Sequence, residues 1–168
     1  MQIQLLLLGA YLILSAILWY SFLSGKLRWT FRLGPLVSLL PILTVFPPQP
    51  RFELDFFWWR IAGYITIALG VGIYLWAIRE YKTVLKDGDK LIDTGPFQFV
   101  RHPMYLGIIF IYVGWWWIWA AVYAFYLGMF ILAGMWLQAY IEEKIVLERS
   151  FGDQYREYRK ITGMFWIK

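Results

Sequence analysis

A run of thirty-eight residues with no charged side chain, residues 104–141, constrains this chain more than any other feature. At about 1.5 Å per residue, one continuous helix of that length would reach far beyond a hydrocarbon core of roughly 30 Å. The segment is therefore expected to turn back on itself. Polar clusters stand at its two ends. One is Arg101, His102 and Tyr105 in the run Arg101-His102-Pro103-Met104-Tyr105-Leu106-Gly107; the other is the adjacent carboxylates Glu142 and Glu143. A fold-back returns both clusters to one surface, where they can line a single pocket.

The chain as a whole is also strongly apolar. Its hydrophobic fraction is 61%, against roughly 45–50% in ordinary globular domains. The expected fold class is an all-α integral membrane protein of about five transmembrane helices, with a C-terminal helical hairpin and an amphipathic cytosolic tail. Apolar segments at about 3–23, 33–46 and 56–78 precede the two within 104–141. Gln2, Ile3 and Gln4 provide no positive n-region, so the first segment reads as an anchor and not as a cleaved signal. The second is short and carries Pro35 and Pro41, so it is expected to kink or to recruit Trp29 and Phe31. Residues 1–80 then supply N-terminal spans. Residues 81–168 supply a polar loop, the hairpin and the tail, all within one compact membrane unit.

Several chemistries are excluded by residue inventory. Without cysteine there are no disulfides, no thiolate catalysis and no cysteine-bound zinc or iron–sulfur cluster, and the single histidine, His102, rules out a histidine-rich metal site. The net charge of +5 is spread over the loops with acids interspersed, which is no nucleic-acid footprint.

The basic residues set an orientation. In a five-span arrangement, fourteen of the sixteen lie on one side, leaving only Arg51 and Arg60 on the other. Basic loops stay in the cytoplasm, so the N-terminus is expected outside and both polar clusters inside. Arg60 can snorkel from the start of its span, and Gly63, Gly70 and Gly72 are expected to allow close helix approach. The hairpin turn is expected at residues 117–121, where Trp115, Trp116, Trp117 and Trp119 crowd together; like Trp58 and Trp59, they suit the membrane–water boundary.

On the inner side, Asp87-Gly88-Asp89-Lys90 and Gly95-Pro96 mark a turn-rich loop. Pro103 suits a helix's first turn, because its missing N–H has no partner there anyway. The positive end of that helix, beside Arg101, is a ready site for a carboxylate or phosphate. Past Glu143, Leu147, Phe151, Tyr155 and Tyr158 recur at helical spacing, with Arg149, Arg156, Arg159 and Lys160 on other faces. Gly152 and Asp153 are expected to end one helix and start the next. Such a segment can lie along the inner surface, as a roof over the pocket or as a simple anchor. Glu142 and Glu143 sit about 100° apart on a helix, so at most one is expected to face a given centre.

The string Asp87-Gly-Asp-Lys-Leu-Ile-Asp-Thr-Gly95-Pro-Phe-Gln-Phe-Val-Arg101-His-Pro-Met-Tyr-Leu-Gly107 is followed, past the hairpin, by Glu142-Glu143-Lys144 and Phe151-Gly152-Asp153-Gln154-Tyr155-Arg-Glu-Tyr158. Over roughly residues 81–168 it resembles the isoprenylcysteine carboxyl methyltransferases and their phospholipid methyltransferase relatives; the first eighty residues match only as generic spans. The resemblance implies a membrane-embedded transferase that uses S-adenosylmethionine and acts on a lipophilic acceptor in the bilayer. It implies cofactor contacts at Leu91, His102, Pro103 and Tyr105, with Glu142 and Glu143 on the facing helix and the tail closing over them. Glu148 is a reserve candidate.

The residues support such chemistry on physical grounds. Methyl transfer is an in-line displacement that asks the protein chiefly for alignment in a water-poor site. A carboxylate acceptor needs no base and could be oriented by Arg101; an amine acceptor must lose a proton, for which Glu142 or Glu143 is the natural base. No Gly-x-Gly-x-x-Gly run is present, which sets aside a Rossmann-type methyltransferase. Two other readings stay open: an NADPH-dependent reductase of the sterol-reductase type, which shares Arg-His-Pro-x-Tyr, and a non-catalytic membrane scaffold or small transporter. Against the transporter, there is no internal repeat and no charge deep in the last two spans.

Overall fold

A computed structural model describes residues 2–24, 37, 40–54, 56–85 and 90–168. The basic residues Lys26, Arg28 and Arg32, the residues Trp29, Phe31 and Pro35 and the run Asp87-Gly88-Asp89 lie outside the described residues. The helices are α1 (Gln2–Leu23), the single turn α2 (Leu40–Leu43), α3 (Trp59–Leu85), α4 (Pro103–Trp119), α5 (Val122–Glu142) and α6 (Glu148–Ile161). A 3-10 turn, Gly95–Gln98, precedes α4, and a π-helical turn, Glu143–Leu147, joins α5 to α6.

Three helical stretches, starting at Gln2, Trp59 and Val122, are long and apolar enough to cross a membrane. The fourth apolar helix, α4, has 17 residues, about 25 Å at the usual rise. The chain is thus all-α and of membrane type. The long apolar run does fold back, at Ala120 and Ala121, inside the expected window. Of the second apolar segment the described residues show Val37, α2 with Pro41 inside it, and a turn from Thr44 onward.

Two different kinds of contact hold α4. Against α3 the backbones nearly touch: a Cβ added at Gly70 would stand 2.6 Å from the Gly107 carbonyl oxygen, and one at Gly107 would stand 2.8 Å from that of Gly70. Gly63 and Gly114 repeat the arrangement seven residues away on each helix, at 3.0 and 2.7 Å. Helices in lipid gain little from hydrophobic burial and associate through such close packing. Gly72 takes no part, because nothing lies within 4 Å of a Cβ placed there. The sequence pattern missed this because it counts glycines without their azimuth: Gly63 and Gly70 are seven residues apart and share a face, whereas Gly72 is turned about 200° from Gly70.

Against α5, α4 presents side chains. The Trp116 indole lies over Gly128, where an added Cβ would meet the ring at 2.4 Å. Around it Val45, Tyr112, Ala121, Ala124, Ile131 and Met135 form the buried core, with Leu8 and Tyr11 of α1 against it.

The hairpin turn is strapped from outside. Ala120 has φ +48°, a left-handed conformation costing a non-glycine residue about 1 kcal/mol. Segment 49–52 holds it there: Phe52 N–H donates to Ala120 O at 2.7 Å, Val122 N–H donates to Pro50 O at 3.1 Å, and Gln49 Oε1 accepts from Ala124 N–H at 3.0 Å. The tryptophans at this end also find partners. Trp115 Nε1 donates to Ile42 O at 3.0 Å and Trp117 Nε1 to Trp59 O at 2.6 Å, so the belt docks both α2 and the start of α3.

Candidate functional site

The other end of the hairpin carries the charges. Pro103 opens α4 as its first residue and His102 is the N-cap. Upstream, the 3-10 turn is tied to α3 where Thr94 Oγ1 donates to Glu80. Gly95, at φ +57°, brings the chain so close to Glu80 that a Cβ would stand 2.9 Å from its carboxyl carbon. The start of α4 is therefore set by α3 through both the glycine contacts and this turn.

Arg101 reaches across to Glu143. Its Nε donates to Oε1 at 2.7 Å and its Nη2 to Oε2 at 3.2 Å, a two-pronged pairing of the kind that fixes orientation as well as charge. His102 Nε2 lies 3.1 Å from the same Oε1; a carboxylate only accepts, so Nε2–H is the donor. The side chains of Arg101, His102 and Glu143 are 8%, 5% and 3% exposed, which makes this a buried ion pair. Such a pair contributes little net stability, but removing one partner strands the other charge at a cost of several kcal/mol.

Glu142 is held differently. Its Oε2 accepts from the Tyr105 hydroxyl at 3.1 Å, and among the described residues no cation pairs with it. Each carboxylate thus has its own partners at the start of α4. The two adjacent acids reach neighbouring centres because Arg101, His102 and Tyr105 span a full turn at the helix start, while the π-helical turn begins at Glu143.

The tail crosses over this cluster. Arg101 N–H donates to Gly163 O at 2.8 Å, His102 N–H to Met164 O at 3.2 Å, and the Arg101 guanidinium to Thr162 O. Tyr158 donates its hydroxyl to Phe97 O. Tyr155 is fully buried, with its hydroxyl beside Arg101 and Glu143. Leu147 and Phe151 are half-buried and Arg149, Arg156 and Lys160 exposed, so the amphipathic stripe packs inward. Gly152, at φ +52°, kinks α6 where a helix break was expected. Glu148 pairs with Lys144 one turn before it, at 3.0 Å, and with Arg159 across the kink.

The structure therefore gathers Arg101, His102, Tyr105, Glu142 and Glu143 into one cluster, with Pro103 fully buried at its base. Leu91 is half-buried in the irregular segment before the 3-10 turn and takes no part in the hydrogen-bonded cluster. Glu148 belongs to the tail's own ion pairs. Tyr155 enters the site through packing; the sequence marked it as a member of an apolar stripe and of the tail motif, without a role of its own in the site.

A family model described as phospholipid methyltransferase matches residues 58–154. It takes in α3, the 3-10 turn, α4, α5 and the whole polar cluster, and it begins earlier than the motif resemblance, which left the first eighty residues as generic spans. It stops one residue short of Tyr155. No curated protein and no solved structure gives a significant match. With more than half of its length matched, carrying both the glycine-paired helices and the Arg101-to-Glu143 cluster, the chain belongs to the phospholipid methyltransferase family.

Proposed function

We propose that this protein is a membrane-embedded, S-adenosylmethionine-dependent methyltransferase whose acceptor is a lipid headgroup amine, with the polar end of the hairpin facing the cytosol. One observation carries the acceptor class: Arg101 and His102 are both committed to Glu143, while Glu142 is held only by the neutral Tyr105 hydroxyl. A carboxylate acceptor would need a free cation to orient it, and among the described residues of the cluster both basic groups are already engaged. An ammonium headgroup finds in Glu142 a carboxylate with no ion-pair partner among the described residues.

The donor set is compatible with S-adenosylmethionine, which carries a carboxylate, an ammonium and a sulfonium. The first turn of α4, beside His102, Pro103 and Tyr105, would suit the carboxylate. Leu91 would add an apolar contact from the upstream segment. When bound, the cofactor supplies an activated methyl group on a sulfonium sulfur. Arg101 and Glu143 anchor the helix start to the tail and exclude water. Glu142 takes the proton from the headgroup ammonium and so frees the nitrogen lone pair, while Tyr105 steadies the carboxylate that receives it. General-base assistance of this type contributes on the order of 10²–10⁴-fold.

Calorimetric binding of S-adenosylhomocysteine and of NADPH to the detergent-solubilised protein tests the cofactor class, and radiolabelled methyl transfer to candidate lipids tests the acceptor. The expected result is binding of the first ligand and labelling of an amine headgroup. Glu142→Gln should then lose at least about a hundredfold in transfer rate with ligand affinity little changed. Binding of NADPH alone, or labelling of a carboxylate lipid in preference to an amine, overturns the proposal.

A further inference from the structure

At the end of α4 away from His102, an open cavity of about 520 Å³ lies between segment 51–54, the start of α3 and the hairpin turn. Arg51, Arg60 and Tyr64 provide its polar lining, and Trp59, Trp119 and Phe52 its aromatic walls. Such a volume lies within the roughly 300–1,000 Å³ usual for small-ligand sites. These two arginines are the basic residues that the loop asymmetry leaves apart from the other fourteen.

Both guanidiniums are positioned. Arg51 lies over the Trp119 ring at 5.3 Å and gives one Nη1–H to Trp119 O at 2.6 Å, which caps the end of α4 and leaves the rest of its donor fork. Arg60 lies over the Trp59 ring at 4.9 Å, and Tyr64 follows one helical turn later on the same face. Neither arginine makes an ion pair among the described residues, and the exposed Glu53 on the same segment is not in the wall. Tryptophan and snorkelling arginine mark the membrane–water boundary, which is also the level of lipid phosphates.

We propose that this cavity binds the phosphodiester of an anionic phospholipid in the leaflet opposite the methyl-transfer site. The guanidinium fork suits a phosphate's paired oxygens, and two cations with no paired acid among the described residues favour a headgroup of net negative charge over a zwitterionic one. The site is independent of the catalytic reading, since none of its residues belongs to the Arg101-to-Glu143 cluster.

Native mass spectrometry of the full chain, released from nanodiscs of equal phosphatidylglycerol and phosphatidylcholine, reads the retained lipid directly. Wild type is expected to keep phosphatidylglycerol preferentially. Arg60→Gln, which removes no contact to the hairpin turn, is expected to lower that retention about fivefold, the effect of roughly 1 kcal/mol per basic group near a membrane surface. Its thermal unfolding should match wild type. Arg51→Gln combined with Arg60→Gln should abolish the preference. Equal retention in wild type and Arg60→Gln overturns the proposal. So does a site that takes inorganic phosphate in lipid-free detergent but shows no lipid preference, because it would then be a free-phosphate site.

Discussion

Helix α4 is held by two unlike interfaces. Toward α3 the contact is backbone on backbone at Gly63, Gly70, Gly107 and Gly114; toward α5 it is the Trp116 ring on Gly128, ending in a buried ion pair at the tip. The first is fixed by atoms that cannot move aside. The second is built from side chains, which can shift where backbone cannot. The difference teaches how the site is organised: α3 and the 3-10 turn set where Arg101, His102 and Tyr105 stand, and the more adjustable α5 and tail bring carboxylates to them.

Substitutions can break this contrast or sharpen it. The largest effect is expected at the tip, where Arg101→Ala leaves Glu143 buried without its cation at a cost of about 3–5 kcal/mol. Thermal unfolding in detergent should show the loss, and pairing Arg101→Met with Glu143→Leu should recover most of it. Recovery failing in the double variant would mean that the pair does more than neutralise itself. Next comes Gly107→Ala, whose Cβ would stand 2.8 Å from Gly70 O and 2.9 Å from Tyr74 N. Neither is a side-chain end that can swing away, so about 1–3 kcal/mol is expected. At Gly128→Ala the three nearest atoms all belong to the Trp116 ring, a side chain that can shift where backbone cannot, so about 1 kcal/mol is expected, the low end for overpacking. If Gly128→Ala proves as damaging as Gly107→Ala, the two interfaces are not different in kind. At the bottom of the scale, Gly72→Ala has nothing within 4 Å and should stabilise α3 by about 0.5–1 kcal/mol through helix propensity.

The hairpin and its polar tips were legible from residues 104–141 because two constraints are local: a charge-free run too long for one crossing, and charges at both ends. The tail's buried stripe was legible too, since Leu147, Phe151, Tyr155 and Tyr158 follow a helical period. What could not be read was pairing. Nothing in the order Glu142-Glu143 says that the second carboxylate takes both Arg101 and His102 while the first takes Tyr105. Leu91 carried a motif signal with no hydrogen-bonded role in the cluster, and Tyr155 gained its place at the ion pair only through the kink at Gly152.

By itself, then, the sequence determined a membrane-type helical chain whose last two apolar helices pair antiparallel, because apolar length and the positions of charge are properties of the chain alone. The tertiary structure decided which glycines touch, which acid pairs with Arg101 and which with Tyr105, and that Arg51 and Arg60 share a cavity with Trp59 and Trp119. Those outcomes depend on the azimuth of one helix against another and on side chains meeting across dozens of residues. Periodicity along a single chain does not encode such distances.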